Sequence, residues 1–231
     1  MRTLYLLATM LLASGSAWSN VIINGTRIIY PENTKETVVQ LINNGDDPSL
    51  VQAWIDDGDI NSTPETAKVP FLLTPPVVKV NGHNGQQLRI KKLPASLPGD
   101  RESVFYLNVL DIPPKPENMQ GLNTMQLAIK SRIKVFYRPT ALKGTLEQAI
   151  NQLRLNADAR GFTIINNSPF NITIANIEGS GESKLLENSL MVSPFSQDTA
   201  ISKKSVRKGQ SYRVMYVDDA GAYQTKALIT E

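Results

Sequence analysis

Along most of this chain, apolar and polar side chains alternate with a period of two in short runs, and clusters of Gly, Pro, Asn and Asp cut the runs apart. That period puts successive side chains on opposite faces of an extended strand, so the pattern predicts β-structure half buried against a core. The expected strands begin with Asn20 to Tyr30, ending at Pro31. Next come Thr37 to Asn43, closed by Asn43-Asn44-Gly45, and Leu50 to Asp56, closed by Asp56-Asp57-Gly58. Val69 to Leu73 runs into Thr74-Pro75-Pro76, and Gln87 to Lys91 and Val104 to Val109 follow. Thr124 to Tyr137 is long for a single strand. Two consecutive prolines cannot both continue a central strand, so the chain is expected to bend or change sheet at Pro75-Pro76.

Arg138-Pro139-Thr140-Ala141-Leu142-Lys143-Gly144-Thr145 reads as a linker, and Leu146 to Leu153 as a short helical turn or loop. A second strand series follows: Gly161 to Asn166, Phe170 to Ile177, Leu190 to Val192, Thr199 to Ile201, Tyr212 to Val217 and Tyr223 to Ile229. Gly179-Ser180-Gly181-Glu182-Ser183 and Asp218-Asp219-Ala220-Gly221 are expected turns. About seven strands before residue 140 suit an immunoglobulin-like sandwich. The fold class is therefore all-β, with two sandwich domains of unequal size, residues 20–140 and 141–231. No fixed-period repeat and no low-complexity segment interrupts them.

The first 19 residues read differently. Met1-Arg2-Thr3 is short and positive, Leu4 to Leu12 is apolar, and Ala13 to Ser19 is small and polar. This is the layout of a cleavable secretory signal, with a cut before Asn20 or two residues earlier, and the apolar run is too short to span a bilayer. Later in the chain no segment is apolar for long enough to insert into a membrane. Among 231 residues there is no cysteine and one histidine, which removes thiol chemistry, disulfides and any multi-histidine metal site. His83 lies in Asn81-Gly82-His83-Asn84-Gly85, a string of turn formers, and is expected in solvent. The formal charge of +3, or +2 without Arg2, is too mild for a nucleic-acid binder. Neither a Gly-x-Ser-x-Gly elbow nor a phosphate-binding Gly-rich loop is present. The carboxylate pairs Asp56-Asp57 and Asp218-Asp219 sit at turns and are read as turn-shaping, with a glycosidase as the weaker alternative. The chain is expected not to be an enzyme and to need no cofactor.

The run Leu97-Pro98-Gly99-Asp100-Arg101-Glu102-Ser103, then an alternating strand to Asp111-Ile112-Pro113, resembles the family pattern of the periplasmic pilus-assembly chaperones of the chaperone–usher pathway. The resemblance covers the whole chain after the signal. Thr26-Arg27-Ile28-Ile29-Tyr30 looks like the family's first-strand motif, Gln52-Ala53-Trp54-Ile55 like its tryptophan strand, and Thr74-Pro75-Pro76 like its turn. Ile133-Lys134-Val135-Phe136-Tyr137-Arg138-Pro139 looks like the last strand of the first domain plus the linker. Ser193-Pro194 and Asp219-Ala220-Gly221 match the second domain more weakly, since Ala220 stands where many members carry an aromatic residue.

The resemblance implies two immunoglobulin-like domains with a cleft between them, a periplasmic location, and pilus subunits (pilins) and an outer-membrane usher as partners. It implies that Arg27 and Lys134 hold a subunit's C-terminal carboxylate. Met125, Leu127 and Ile129 would be the apolar residues of a strand donated to the subunit, a mode of recognition known as strand addition. Glu102, Arg138 and Asp219 would form a charge cluster between domains. The loop from Asp111 to Asn123 is short, which resembles the short-loop branch. Met125, Leu127 and Ile129 occupy odd positions and Lys134 an even one, so either Lys134 reaches the cleft from the opposite face or a bulge or twist intervenes. An exposed edge also leaves self-association open. The rival reading is a secreted immunoglobulin-like adhesin or carbohydrate binder, which calls for loop aromatics that this chain mostly lacks.

Overall fold

The structure, a computed structural model, describes residues 21–115, 126–179, 181 and 184–231. Residues 1–19, read above as a signal, and Met125 of the expected donor strand lie outside the described residues. Two β-sandwiches result, each closed around its own apolar cluster. One cluster draws on residues from Val21 to Tyr137 and the other on residues from Leu146 to Tyr216.

In the first sandwich, β1 (Val21–Ile23), β3 (Thr37–Asn43), β7 (Gly85–Lys92) and β5 (Phe71–Thr74) form one sheet in the order β1-β3-β7-β5. The other sheet takes β2 (Arg27–Pro31), β9 (Ile129–Arg138), β8 (Ser103–Ile112), β4 (Ser49–Asp56) and β6 (Val77–Val80), in that order. The chain changes sheet at every connection from β1 to β8, and two of these crossings have a clear local cause. The expected strand from Asn20 to Tyr30 is in fact two strands in different sheets, parted at Asn24-Gly25-Thr26, where Gly25 has φ +119°. A positive φ of this kind suits a residue without Cβ, and the direction of the chain changes there. The other is at Pro75-Pro76, between β5 and β6, with a cis Thr74–Pro75 bond.

The second sandwich opens with α1 (Leu146–Ile150), started by a capping box in which Thr145 and Gln148 each accept the other's backbone N–H. Its sheets are β10 (Leu153–Ala157), β11 (Gly161–Asn166) and β14 (Ser196–Ile201), against β13 (Leu190–Val192), β12 (Ile172–Glu178), β15 (Ser211–Val217) and β16 (Tyr223–Ile229). Strands β6 and β10 are additions to the expected set.

The long strand expected from Thr124 is shorter among the described residues: β9 starts at Ile129, and Gln126, Leu127 and Ala128 lie outside any strand. From there its register against β8 is unbroken, from Asp111↔Ile129 to Ser103↔Tyr137. No bulge therefore separates Ile129 from Lys134, and the two side chains face opposite sides of the sheet. Val135 and Tyr137 enter the first core, Ile133 packs against it, and the same row continues beyond that core to Ile129 and Leu127, which are 38% and 68% exposed.

Tyr30 anchors the end of β2 inside this core. Its ring meets Phe71 edge-on at 5.5 Å, and its hydroxyl accepts the Lys92 N–H at 3.0 Å while lying 3.2 Å from the Thr34 carbonyl, to which it donates. Tyr30→Phe keeps the packing but leaves the Lys92 N–H unpaired. The expected loss is about 1–3 kcal/mol, or about 2–4 °C of Tm per kcal/mol, measured by calorimetry.

Candidate functional site

Strand β2 runs parallel to β9 in the register Arg27↔Lys134 through Pro31↔Arg138. Neighbouring strands are ~4.8 Å apart, so the first residue of β2 brings its guanidinium beside the Lys134 side chain on the outward face. Arg27 donates from Nη1 to the Val217 carbonyl of the second domain at 3.1 Å and lies 5.7 Å from the centre of the Phe136 ring. Its Nε is buried with no hydrogen-bond partner among the described residues. Among those residues no carboxylate comes within ion-pair distance of Lys134. Burial lowers the Lys134 ammonium from its ordinary value, and the positive charges of Arg27 and Arg132 lower it further. Burial also lowers Arg27, against a partial opposing pull from Asp219, Asp218 and Glu102. The cleft thus holds two half-buried cations, side by side and under-neutralised, which is the electrostatic shape of an anion site.

Directly above this pair, β9 has an open side. Strand β8 borders it from Ile129 to Tyr137, but β2 begins only opposite Lys134. The other side of Ile129–Ile133 is unpaired among the described residues, because the preceding strand β1 has left for the other sheet. An unpaired row of backbone N–H and C=O groups is a template for another strand.

Glu102, Arg138 and Asp219 meet at the domain junction. Arg138 donates from Nε to Glu102 at 2.8 Å and through Nη1 and Nη2 to both oxygens of Asp219, at 2.7 and 2.9 Å. Its guanidinium also lies 5.2 Å from the centre of the Phe170 ring. Glu102 is buried and its second oxygen accepts the Asn171 backbone N–H at 2.9 Å. Asn171 and Phe170 were not expected here. The turn that carries them is organised by buried Asn166, which donates to the carbonyls of Phe170, Val192 and Ser193. The Asp219 turn is shaped by Asp218, which accepts from Ala222 N and Gln224 Nε2. Gly221, at φ +87°, packs on Thr26 so closely that a Cβ would collide with the threonine hydroxyl. The exposed Ala220 leaves the Arg138–Asp219 contact intact. His83 is exposed in its turn and pairs with Asp46 at 2.8 Å.

Comparison with known proteins decides the family. Residues 20–143 match the model of the pili and flagellar-assembly chaperone PapD N-terminal domain, and residues 148–228 that of the pili assembly chaperone PapD C-terminal domain. The chain belongs to the pilus-assembly chaperone family. Among its relatives are the probable fimbrial chaperone YehC of Escherichia coli, 41% identical over 90% of this chain and 85% of that protein, and chaperone protein MrkB of Klebsiella pneumoniae, 41% identical over 88% of each. The crystal structure of the Pseudomonas aeruginosa CupB2 chaperone superposes with a TM-score of 0.78 at 32% identity, covering 91% of this chain and all of that one. The two-domain, all-β, non-enzymatic character of pilus-assembly chaperones holds for this chain.

Two outcomes are expected from this geometry. Arg138→Ala leaves buried Glu102 without its cation and should cost on the order of 3 kcal/mol, with a changed angle between domains in small-angle scattering while both sandwiches stay folded. Lys134→Ala removes a charge that gains nothing in the free protein. Its Tm should stay level or rise, by about 2–4 °C for each kcal/mol of repulsion relieved.

Proposed function

We propose that this chaperone captures pilus subunits in the periplasm after export by the signal at residues 1–19. Its first domain, residues 20–140, lends a strand, and its second, residues 141–231, closes the cleft. The observation that carries the reading is the open side of β9 lying immediately above two under-neutralised cations. An incoming strand lying there parallel to β9 is collinear with β2 and ends where β2 starts. Its C-terminal carboxylate then falls between Arg27 and Lys134, with charge-assisted hydrogen bonds of roughly 1.5–3 kcal/mol each. The reading calls for a parallel strand, since an antiparallel one would start beside the cations and carry its terminal carboxylate away from them, towards Ile129.

On the opposite face, Ile129, Leu127 and, beyond the described residues, Met125 supply the alternating apolar side chains that fill an unfinished subunit core. Each contributes about 1.5–3 kcal/mol when fully buried. Exposed apolar residues on an open edge are a liability in an ordinary domain and an asset in a strand donor. The Glu102–Arg138–Asp219 cluster holds the second domain at the angle that presents Val217 to Arg27. An outer-membrane usher then receives the loaded subunit, and exchange for the next subunit's strand replaces the chaperone.

Lys134→Ala and Arg27→Ala should each abolish co-purification of a subunit from periplasm while circular dichroism stays unchanged. A folded double variant that still retains subunit would sink the carboxylate role. Leu127→Asp with Ile129→Asp should weaken capture with the cations intact. Because Lys134 titrates below an ordinary lysine, capture should decline as pH rises through that lowered value. The free protein should behave in the opposite sense, since losing a poorly neutralised charge stabilises it.

A further inference from the structure

Three basic side chains, Lys130, Arg132 and Lys134, occupy alternate positions of β9 and share the outward face. Each lies beside the open edge and each is a potential anion anchor. Two of them are drawn back across the sheet. Lys130 donates to the Ile60 carbonyl at 3.1 Å and lies 5.9 Å from the centre of the Trp54 ring. Arg132 lies over the Tyr106 ring, 3.7 Å from its centre, and reaches Asp56 with two hydrogen bonds, Nη2–Oδ1 at 2.5 Å and Nε–Oδ2 at 3.1 Å. Asp56 is 1% exposed and also accepts from Asn108 Nδ2 at 2.6 Å and Gly58 N at 2.7 Å. Tyr106 is the register partner of both Asp56 and Lys134, so Arg132 leans diagonally over the row below its own, towards β4 and away from the edge.

The consequence concerns register. A strand that slips by one residue turns its apolar face outward, which burial forbids, but a slip by two preserves the face. The slip by two that ends an incoming strand opposite Arg132 would offer its carboxylate a guanidinium, the better fork for that group. We infer that Asp56 is a specificity-determining residue that fixes the register of strand addition: by occupying Arg132, it leaves the Arg27–Lys134 pair as the sole anchor for the incoming chain end. This rests on the carboxylate reading above. Asp56 acts through Arg132 and touches no client.

The absence of cysteine permits a direct test. Ser131→Cys, at the open edge of β9, is mixed under redox equilibrium with synthetic ten-residue peptides of alternating Val and Thr that end in a free carboxylate. Each peptide carries one cysteine at a different position, and disulfide yield is read against that position, since the bond forms only at close Cβ approach. With Asp56 present, yield should peak at one position. In D56N the peak should move two positions nearer the peptide's C-terminus, and in D56N/R132Q it should return. R132K, which keeps Asp56 but cannot lie flat on Tyr106 and bind both carboxylate oxygens, should add a second peak at the shifted position. This variant keeps the inference testable should D56N fail to fold. An unmoved peak in folded D56N, or a single wild-type peak in R132K, overturns the inference. So does loss of yield in D56N without a shift, which would make Asp56 merely structural. Equal yields from acid and amide peptides, unaffected by Lys134→Ala, would instead overturn the carboxylate reading and the inference with it.

Discussion

Everything that distinguishes this molecule from an ordinary pair of sandwiches depends on where β2 begins. The chain leaves one sheet at Ile23, turns through Asn24-Gly25-Thr26 and enters the other sheet at Arg27. Had the first strand continued in a single sheet, either the edge of β9 would be covered along its length or Arg27 would not stand beside Lys134. The crossing both vacates Ile129–Ile133 and sets a cation at the boundary of the vacancy. One backbone event therefore creates the open edge and marks its end.

The domain junction supports that arrangement from below. Arg138 closes β9, opposite Pro31 at the end of β2, and holds Glu102 at the start of the β8 segment and Asp219 in the second domain. The same turn packs Gly221 against Thr26, and Val217 on the preceding strand accepts from Arg27. Ion pairs with this degree of burial add little net stability, because desolvation offsets most of the attraction. Their contribution is geometric: they fix the second domain against the residue that begins β2. Glu32 adds a further tie, accepting the Thr140 N–H at 2.9 Å and so holding the linker to the end of β2.

The alternation of apolar residues made the strands legible in the sequence, and the motif resemblance made Arg27, Lys134, Glu102, Arg138 and Asp219 legible as candidates that the fold then brings into two groups. Periodicity could not show that Asn20 to Tyr30 divides between sheets, since the residues on both sides of Gly25 read as one extended run. The parity of Lys134 against Ile129 was visible, and the unbroken β8–β9 register resolves it in favour of opposite faces. In sequence, Asp56 in Asp56-Asp57-Gly58 looks only like a turn former. It does cap the Gly58 N–H, but its contact with Arg132 joins residues 76 apart in sequence and depends on Tyr106 lying between them. Asn171 is equally silent in sequence, because its partner Glu102 is 69 residues away. Local patterns report local constraints, and both of these are long-range polar pairs.

Under the proposed carboxylate role, cations at the foot of an open edge also make the site a ruler. From Ile129 to Lys134 the strand rises about 17 Å, at ~3.3 Å per residue. A ligand strand gripped by its terminal carboxylate is indexed from that end, so each of its residues is assigned a face and a depth by counting backwards. One residue added to the end of a client would leave its chemistry nearly unchanged yet turn every inward side chain outward. The chaperone would thus discriminate among chains by where they stop as well as by what they contain.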